Sequence, residues 1–366
     1  VEPAGDLAAG YCVCIVSDID NSCDDRLPEA AANARLPGAK LMLAYIVRRV
    51  AYAFPILIGV NLLTFFLFFV VNSPDDMARM HLGMKHVTQD AIEKWKAEHD
   101  YDKPLFINDK AEGFSRFSDT IFFQKSVKLF RFDFGSSDRG RDIGYDIRQR
   151  MMPSLAIAVP VLLIGLMVNI TFAMLMVFFR GTYLDLSGVV LCVILMSVSS
   201  LFYIIGGQFL IGKVFHLVPI SGYESGWSAA RFVILPVAIG IISGIGAGSR
   251  WYRTLFLEEA GKDFVRTARA KGLSESRVMF RHVLSNALVP IVTGVVVLLP
   301  LLFMGSLLLE SFFAIPGLGS YTIDAINAQD FAIVRSMVFL GSVLYIIGLI
   351  LTDITYTVVD PRVRLS

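Results

Sequence analysis

Long apolar stretches alternate with short charged ones along most of this chain. Six runs contain no charged side chain: residues 50–74, 151–179, 186–212, 232–249, 283–309 and 336–352. A helix of about 20 apolar residues is long enough to cross a bilayer. The pattern therefore predicts an all-α polytopic membrane protein with six transmembrane helices.

Composition supports a membrane protein and excludes several other classes. Of the 366 residues, 55% are hydrophobic and 18% are charged, which is too apolar for an ordinary soluble domain. The net charge is +1 and the basic residues flank apolar runs, so we expect no nucleic-acid partner. The five histidines form no metal-binding motif and no G-x-S-x-G elbow occurs, which indicates that the chain is not an enzyme.

Lysine and arginine near the ends of the runs predict the orientation, because such residues are enriched in cytoplasmic loops. Arg48, Arg49 and Arg362 place both termini in the cytoplasm, together with the charged segment 258–290. The predicted organisation follows: 1–41 as a disordered or mis-called N-terminal extension, 42–74 as the first span, 75–150 as a periplasmic loop with short helices, and 151–364 as the remaining five spans, with a cytoplasmic loop at 252–287.

The predicted periplasmic loop has local structure of its own. Thr88 can cap a helix that runs to Glu98 and carries Ile92 and Trp95 on one face. A second amphipathic piece begins at residue 122 and leads into residues 131–136. We expect its aromatic side chains to pack on the membrane surface or on a partner.

Two sets of residues inside the spans are candidates for structural or functional roles. Gly240, Gly244 and Gly248 recur every four residues, which predicts a helix-packing seam, with a lining for the substrate path as the alternative. Glu310 and Asp353 lie at or near membrane depth, where an ionised carboxylate costs about 2.5–3.5 kcal/mol. Each is either a substrate-path or gating residue or a hydrogen-bonded carboxylate at a membrane boundary.

The segment 258–290 is strongly charged yet enclosed by two apolar spans. Asp263 opens a helical pattern in which Phe264 and Ala268 share a phase, and Gly272 is expected to end that helix. A second helix then begins near Ser274. This arrangement presents a short basic helix, for which contact with anionic lipid is the simplest role.

These residues also carry a resemblance to a known family. The segment reads Asp263, Phe264, Val265, Arg266, Thr267, Ala268, Arg269, Ala270, Lys271, Gly272 and Leu273. It resembles the cytoplasmic signature of ABC-importer permeases of the dipeptide/oligopeptide/nickel subfamily. Ala268 and Gly272 match the general permease motif, whereas Arg266 and Thr267 replace its glutamate and first alanine. The similarity extends over residues 42–364, and residues 131–135, 305–310 and 355–360 are closest to Yej-type peptide permeases.

The resemblance implies a specific machine. The chain would be a type I importer permease that forms half of a translocation pore for short peptides in the bacterial inner membrane. Residues 263–273 would be a coupling helix. The implied partners are a second permease in a heterodimer, two ABC ATPase subunits that bind ATP and Mg, an extracytoplasmic substrate-binding protein and membrane lipid; this chain itself would bind no cofactor or metal. Transport of nickel or another small solute remains an alternative, as does a stand-alone secondary transporter or channel.

Overall fold

The computed structural model describes residues 36–83, 87–108, 113, 115–224 and 226–359. Within these residues the chain is helical, and its β structure is limited to one isolated bridge between Ser136 and Asp142. The compact unit considered below is Val50–Arg364. Residues 1–35 of the predicted extension lie outside the described residues, and the first described helix begins at Leu36.

The α-helices are numbered here in chain order. They are α1 (Leu36–Phe65), α2 (Pro74–Leu82), α3 (Gln89–Glu98), α4 (Ser115–Ser118), α5 (Ile121–Lys125), α6 (Ile143–Phe178), α7 (Tyr183–Ser197), α8 (Ser200–Gly207), α9 (Ala229–Ala260), α10 (Asp263–Ala270), α11 (Glu275–Val278), α12 (Ser285–Leu298), α13 (Leu307–Phe312), α14 (Leu318–Asn327) and α15 (Phe331–Val359). Short π segments extend α1 and α8 and join α11 to α12, and 3-10 turns follow α5 and α12.

The helices that could cross a membrane correspond to the predicted apolar runs. Among the described residues, five segments are long and apolar enough: Val47–Val71, Ile143–Phe178, Ala229–Ala260, Glu275–Phe312 and Phe331–Thr355. A sixth span is present if the bent pair Tyr183–Ser197 and Ser200–Val214 counts as one. The prediction of an all-α protein with several spans is confirmed.

The third apolar run is not one straight helix, as its uniform composition had suggested. α7 and α8 meet at an angle of 86°. The bend occurs because Val198 and Ser199 both adopt extended backbone conformations, which interrupts the helical hydrogen bonds. The Tyr203 hydroxyl donates to the carbonyl of Leu195 at 2.9 Å, so one of the acceptors freed by the break is paired.

Two spans begin or end well outside the apolar runs. α6 begins at Ile143, eight residues before its run, because the Asp142 side chain accepts from the Tyr145 backbone N–H at 2.9 Å and caps the helix. α9 continues to Ala260 through the charged residues after its run. An apolar run marks the part of a helix that contacts lipid or core, and the helix itself ends only where its hydrogen bonding ends.

The loop between the first and second spans folds onto the end of the first. The predicted helix is present as α3, and Ile92 and Trp95 are buried against Phe65 and Met77. Thr88 occupies the N-cap position, although its side chain makes no capping hydrogen bond. This small core fixes the loop to the membrane-spanning helix.

Two aromatic residues of the second loop piece pack against spanning helices of the same chain, a contact that the expectation of membrane or partner packing did not include. The Phe122 ring lies 5.0 Å from the Phe65 ring, and the Phe130 ring lies 5.4 Å from the Phe339 ring. Each pair joins a loop residue to a spanning helix. Phe132, in contrast, remains 58% exposed.

α9 lies at the centre of the bundle and contacts α6 and α7 along its length. Its glycines allow this close approach on different sides. A Cβ at Gly246 would lie 2.7 Å from the Cys192 carbonyl oxygen of α7, and one at Gly248 would lie 2.5 Å from the Asn169 amide of α6. Gly244 has no such neighbour within 4 Å.

A pair of alanine substitutions on α9 tests this packing. We expect Gly246→Ala to lower the thermal unfolding midpoint of the purified chain, because overpacking against a backbone carbonyl costs about 1–3 kcal/mol. Gly244→Ala is the matched control, since its methyl group would enter open space. Equal midpoints for the two variants, measured in the same detergent, would contradict the packing of α9 on α7.

Candidate functional site

The charged segment after α9 folds as a short helix closed by a glycine turn. α10 ends at Ala270, Lys271 forms its C-cap, and Gly272 follows with φ at +79°. That left-handed conformation is accessible to glycine at little cost and reverses the chain direction sharply. The expectation that Gly272 ends this helix agrees with the geometry.

One face of α10 is anchored in the protein core. Val265 and Ala268 are buried in a cluster that includes Val278, Val283 and Ala287 from the following span. The phase differs from the expected one, in which Phe264 and Ala268 share a face: Phe264 lies outside and is 36% exposed. Burial of positions three residues apart fixes the rotation of the helix about its axis.

The opposite face of α10 presents the charged residues. The Arg266 side chain is 75% exposed, and its Nη1 lies 3.4 Å from the Asp263 carboxylate of the same helical turn. Arg269, in contrast, bonds to a residue of the next helix: its Nε and Nη2 donate to the two Glu275 carboxylate oxygens at 2.9 and 3.1 Å. This bidentate pair spans the Gly272 turn and joins α10 to α11.

An ion pair that the sequence did not reveal joins α9, the helix that leads into α10, to α7. Arg253 on α9 donates to both carboxylate oxygens of Asp185 on α7, at 3.0 and 2.9 Å. Asp185 also accepts from the Gly181 backbone N–H at 3.4 Å. The partners are 68 residues apart, and the only sequence signal was an acidic residue beside an apolar run. α7 and α9 are thereby fixed together just before α10 begins.

Two neighbouring cavities of 630 and 510 Å³ lie among the spans. Both are bordered by Val161, Leu162, Gly240 and Leu298, so they form a continuous depression between α6, α9 and α12. None of the residues that line them is charged. Because this surface carries no charged side chain, it can contact molecules that differ in charge without favouring one sign.

The glycine series of α9 borders these cavities and also contacts α6. A Cβ at Gly240 would lie 2.9 Å from Val161, and one at Gly248 would meet Asn169, so both are close-packed positions. Gly244 lies beside the second cavity with open space next to it. The small residues thus allow helix contact and leave room for the depression.

Glu310 is fully buried, with 0% exposure, and lies behind the cavity wall. One carboxylate oxygen accepts from the Ser306 backbone N–H at 3.1 Å. The other accepts from the backbone N–H groups of Gly319 and Ser320 at 2.7 and 3.1 Å, in the first turn of α14. A carboxylate at that position compensates the positive end of the helix dipole.

Asp353, the other carboxylate expected at membrane depth, is half-buried near the end of α15. Neither Asp353 nor Glu310 lines either of the two cavities. The geometry therefore brings neither expected gating residue to the depression, and it assigns Glu310 a hydrogen-bonding position between two chain segments. Over the residues that the structure describes, no three His, Cys, Asp or Glu side chains are grouped closely enough to hold a metal ion.

Comparison with known proteins gives a consistent match over nearly the whole chain. Residues 151–365 match the family described as binding-protein-dependent transport system inner membrane component, and residues 42–131 match the N-terminal family of such membrane components. The chain belongs to this permease family. The helix α10, the residues that line the cavities and five of the predicted spans all lie within the larger match.

Several curated permeases are similar to the chain. A peptide transport system permease protein of Brucella melitensis is 32% identical over 332 residues, which cover 88% of this chain and 99% of the relative. The dipeptide transport system permease protein DppB of Escherichia coli is 28% identical over 88% of this chain and 99% of its own length. The oligopeptide transport system permease protein AppB of Bacillus subtilis is 25% identical, with 88% and 100% coverage.

Replacing Glu310 tests its role in holding the cavity wall of this permease. We expect Glu310→Ala to destabilise the protein by about 3 kcal/mol or more, because three buried backbone N–H groups lose their acceptor and each costs about 1–3 kcal/mol. The measurement is the thermal midpoint in detergent. Glu258→Ala, which removes an exposed carboxylate, is the control and should leave the midpoint unchanged. A stable Glu310→Ala variant would contradict the hydrogen-bonding role.

Proposed function

We propose that this permease forms one half of the translocation pore of an ATP-driven importer, and that residues 263–273 dock it onto a separate ATPase subunit. The observation that carries the proposal is the two-sided geometry of α10. Val265 and Ala268 fix the helix to the core, while Arg266 and Lys271 remain exposed on its outer side. Exposed guanidinium and ammonium groups form charge-assisted hydrogen bonds with a carboxylate-bearing partner.

The position of α10 in the chain explains how docking could drive transport. Its N-terminal end is joined through Gly261 to α9, which borders both cavities. Its C-terminal end is joined through α11 to the span that contains Leu298, another residue of both cavities. A displacement of α10 by closing ATPase subunits would therefore move two walls of the depression at once.

Short peptides are the proposed substrate class. The relatives in Brucella, Escherichia and Bacillus are described as peptide, dipeptide or oligopeptide permeases. The uncharged lining of the cavities supports this choice, because a peptide carrier must accept side chains of either charge. Transport of nickel or another small solute is the alternative within the same family, and uptake measurements with labelled dipeptide and with nickel distinguish the two.

The proposed assembly contains a second permease, two ATPase subunits with ATP and Mg, and an extracytoplasmic binding protein. The chain would lie in the inner membrane with both termini and α10 in the cytoplasm. The loop between the first two spans would then face the binding protein. The predicted boundaries at 75–150 and 252–287 remain part of this proposal.

Reversing the charge of Arg266 tests the docking surface. We expect Arg266→Glu to abolish co-purification of the ATPase with the tagged permease and to reduce dipeptide uptake at least tenfold, because the side chain is exposed and its loss leaves the core intact. Lys94→Glu, an exposed reversal on α3, is the matched control. If Arg266→Glu retains both the ATPase and normal uptake, α10 is not the docking element.

A charge exchange across the Gly272 turn separates an internal role of Arg269 from an external one. Arg269→Glu alone places two carboxylates together and should impair uptake. The double variant Arg269→Glu/Glu275→Arg re-forms the ion pair with reversed direction. Recovery of uptake in the double variant is expected if Arg269 braces the turn, whereas continued loss together with a normal thermal midpoint would assign Arg269 to the ATPase contact.

A further inference from the structure

A third, smaller cavity lies where the loop between the first two spans meets the last span. Its volume is about 150 Å³, and its lining is mainly polar. Three cations border it: Arg335 from α15, Lys125 at the end of α5, and Lys128 from the following 3-10 turn. We refer to it as the loop–span cavity.

Arg335 is buried at this site, and among the described residues no carboxylate lies at ion-pair distance from it, although the Asp138 carboxylate attracts it from further away. The residue is 3% exposed, and its Nε has no hydrogen-bond partner. Its guanidinium lies 5.3 Å from the centre of the Phe69 ring. Because arginine cannot be neutralised by losing a proton, a buried guanidinium with an unused donor favours a bound anion.

The two lysines add to the unbalanced charge. Over the described residues, no carboxylate oxygen lies within the 4.0 Å ion-pair distance of Lys125, Lys128 or Arg335. The Lys125 Nζ lies 5.0 Å from the centre of the Tyr101 ring. Burial, and after it the repulsion from Arg335, lowers the pKa of Lys125 below its usual range.

The two acidic residues of the lining, Asp100 and Asp133, form no ion pair with the three cations. The Asp100 carboxylate pairs instead with Lys103, whose Nζ lies 3.6 Å away. Asp133 accepts a hydrogen bond from the Gly135 backbone N–H at 3.2 Å. Their negative charges nonetheless form part of the cavity lining. The three cationic and two acidic side chains of the lining leave one positive charge uncompensated, which a ligand with a single negative charge balances.

We propose that the loop–span cavity binds the carboxylate group of a small monoanionic ligand. The cavity is below the roughly 300–1,000 Å³ of pockets that enclose drug-sized molecules, so it accommodates one anionic group and little more. A guanidinium matches the planar shape of a carboxylate, and the lysines add two further ammonium donors. The ligand would join the loop to α15. This inference does not rest on the proposed transport function.

Acetate is the probe for this site. The full chain, purified in a neutral detergent at constant ionic strength, is titrated with acetate in place of chloride while Lys125 is acylated by a succinimidyl ester. We expect acetate to slow the modification of Lys125 about tenfold in a saturable manner, as measured by peptide mass spectrometry. Exposed Lys94 in the same sample is the internal control and should react at an unchanged rate.

Variants and a second anion make the test decisive. Arg335→Gln should weaken acetate binding about tenfold or more, because it removes a charge-assisted donor. Should that variant not fold, Lys128→Gln alters an exposed residue and should still weaken binding several-fold, while Lys94→Gln should leave it unchanged. Absence of saturable protection, equal protection of Lys94, unchanged binding in Lys128→Gln, or phosphate binding as tight as acetate would each overturn the proposal.

Discussion

The Glu310 carboxylate holds the segment before α13 against the start of α14 through hydrogen bonds. It accepts hydrogen bonds from Ser306, immediately before α13, and from Gly319 and Ser320 at the start of α14. Ser154 of α6 enters the same group, because its hydroxyl accepts from the Leu318 backbone N–H at 2.7 Å. Residues 305–309 form part of the wall of the larger cavity and lie directly before this buried acceptor in the chain. The shape of this cavity therefore depends on a carboxylate that is buried outside its lining.

Rigidity of a similar kind is present near α10. The Arg253–Asp185 pair fixes α9 to α7, and the Arg269–Glu275 pair fixes α10 to α11 across a glycine turn. Between them, Val265 and Ala268 are packed into the core. A helix held in this way transmits a push to the spans on both sides, because neither its rotation nor its exit angle is free to absorb the motion. This is the physical property that the proposed coupling to an ATPase requires.

Much of the fold was predictable because it is local. Hydrophobic runs of membrane length marked the spans, Gly272 marked the end of α10, and the spacing of Ile92 and Trp95 marked the buried face of α3. Prediction was weaker where a helix passes from apolar to charged residues, as at Ile143 and Ala260, because composition changes there while the hydrogen bonding continues. The rotation of α10 was also misjudged, since Phe264 and Val265 are both apolar and only packing chooses between them.

The sequence by itself determined the membrane-spanning character of the chain, the position of its charged helix and, through that helix, the resemblance to importer permeases. Tertiary structure alone decided which charges pair. Arg253 pairs with Asp185, whereas Arg335 and Lys125 border the loop–span cavity without an ion pair. Both groups combine residues from separate segments, whose distance depends on how the spans pack. Glu310 shows the same limit most clearly: its sequence position indicated a costly buried charge, and only the fold showed the backbone N–H groups that compensate it.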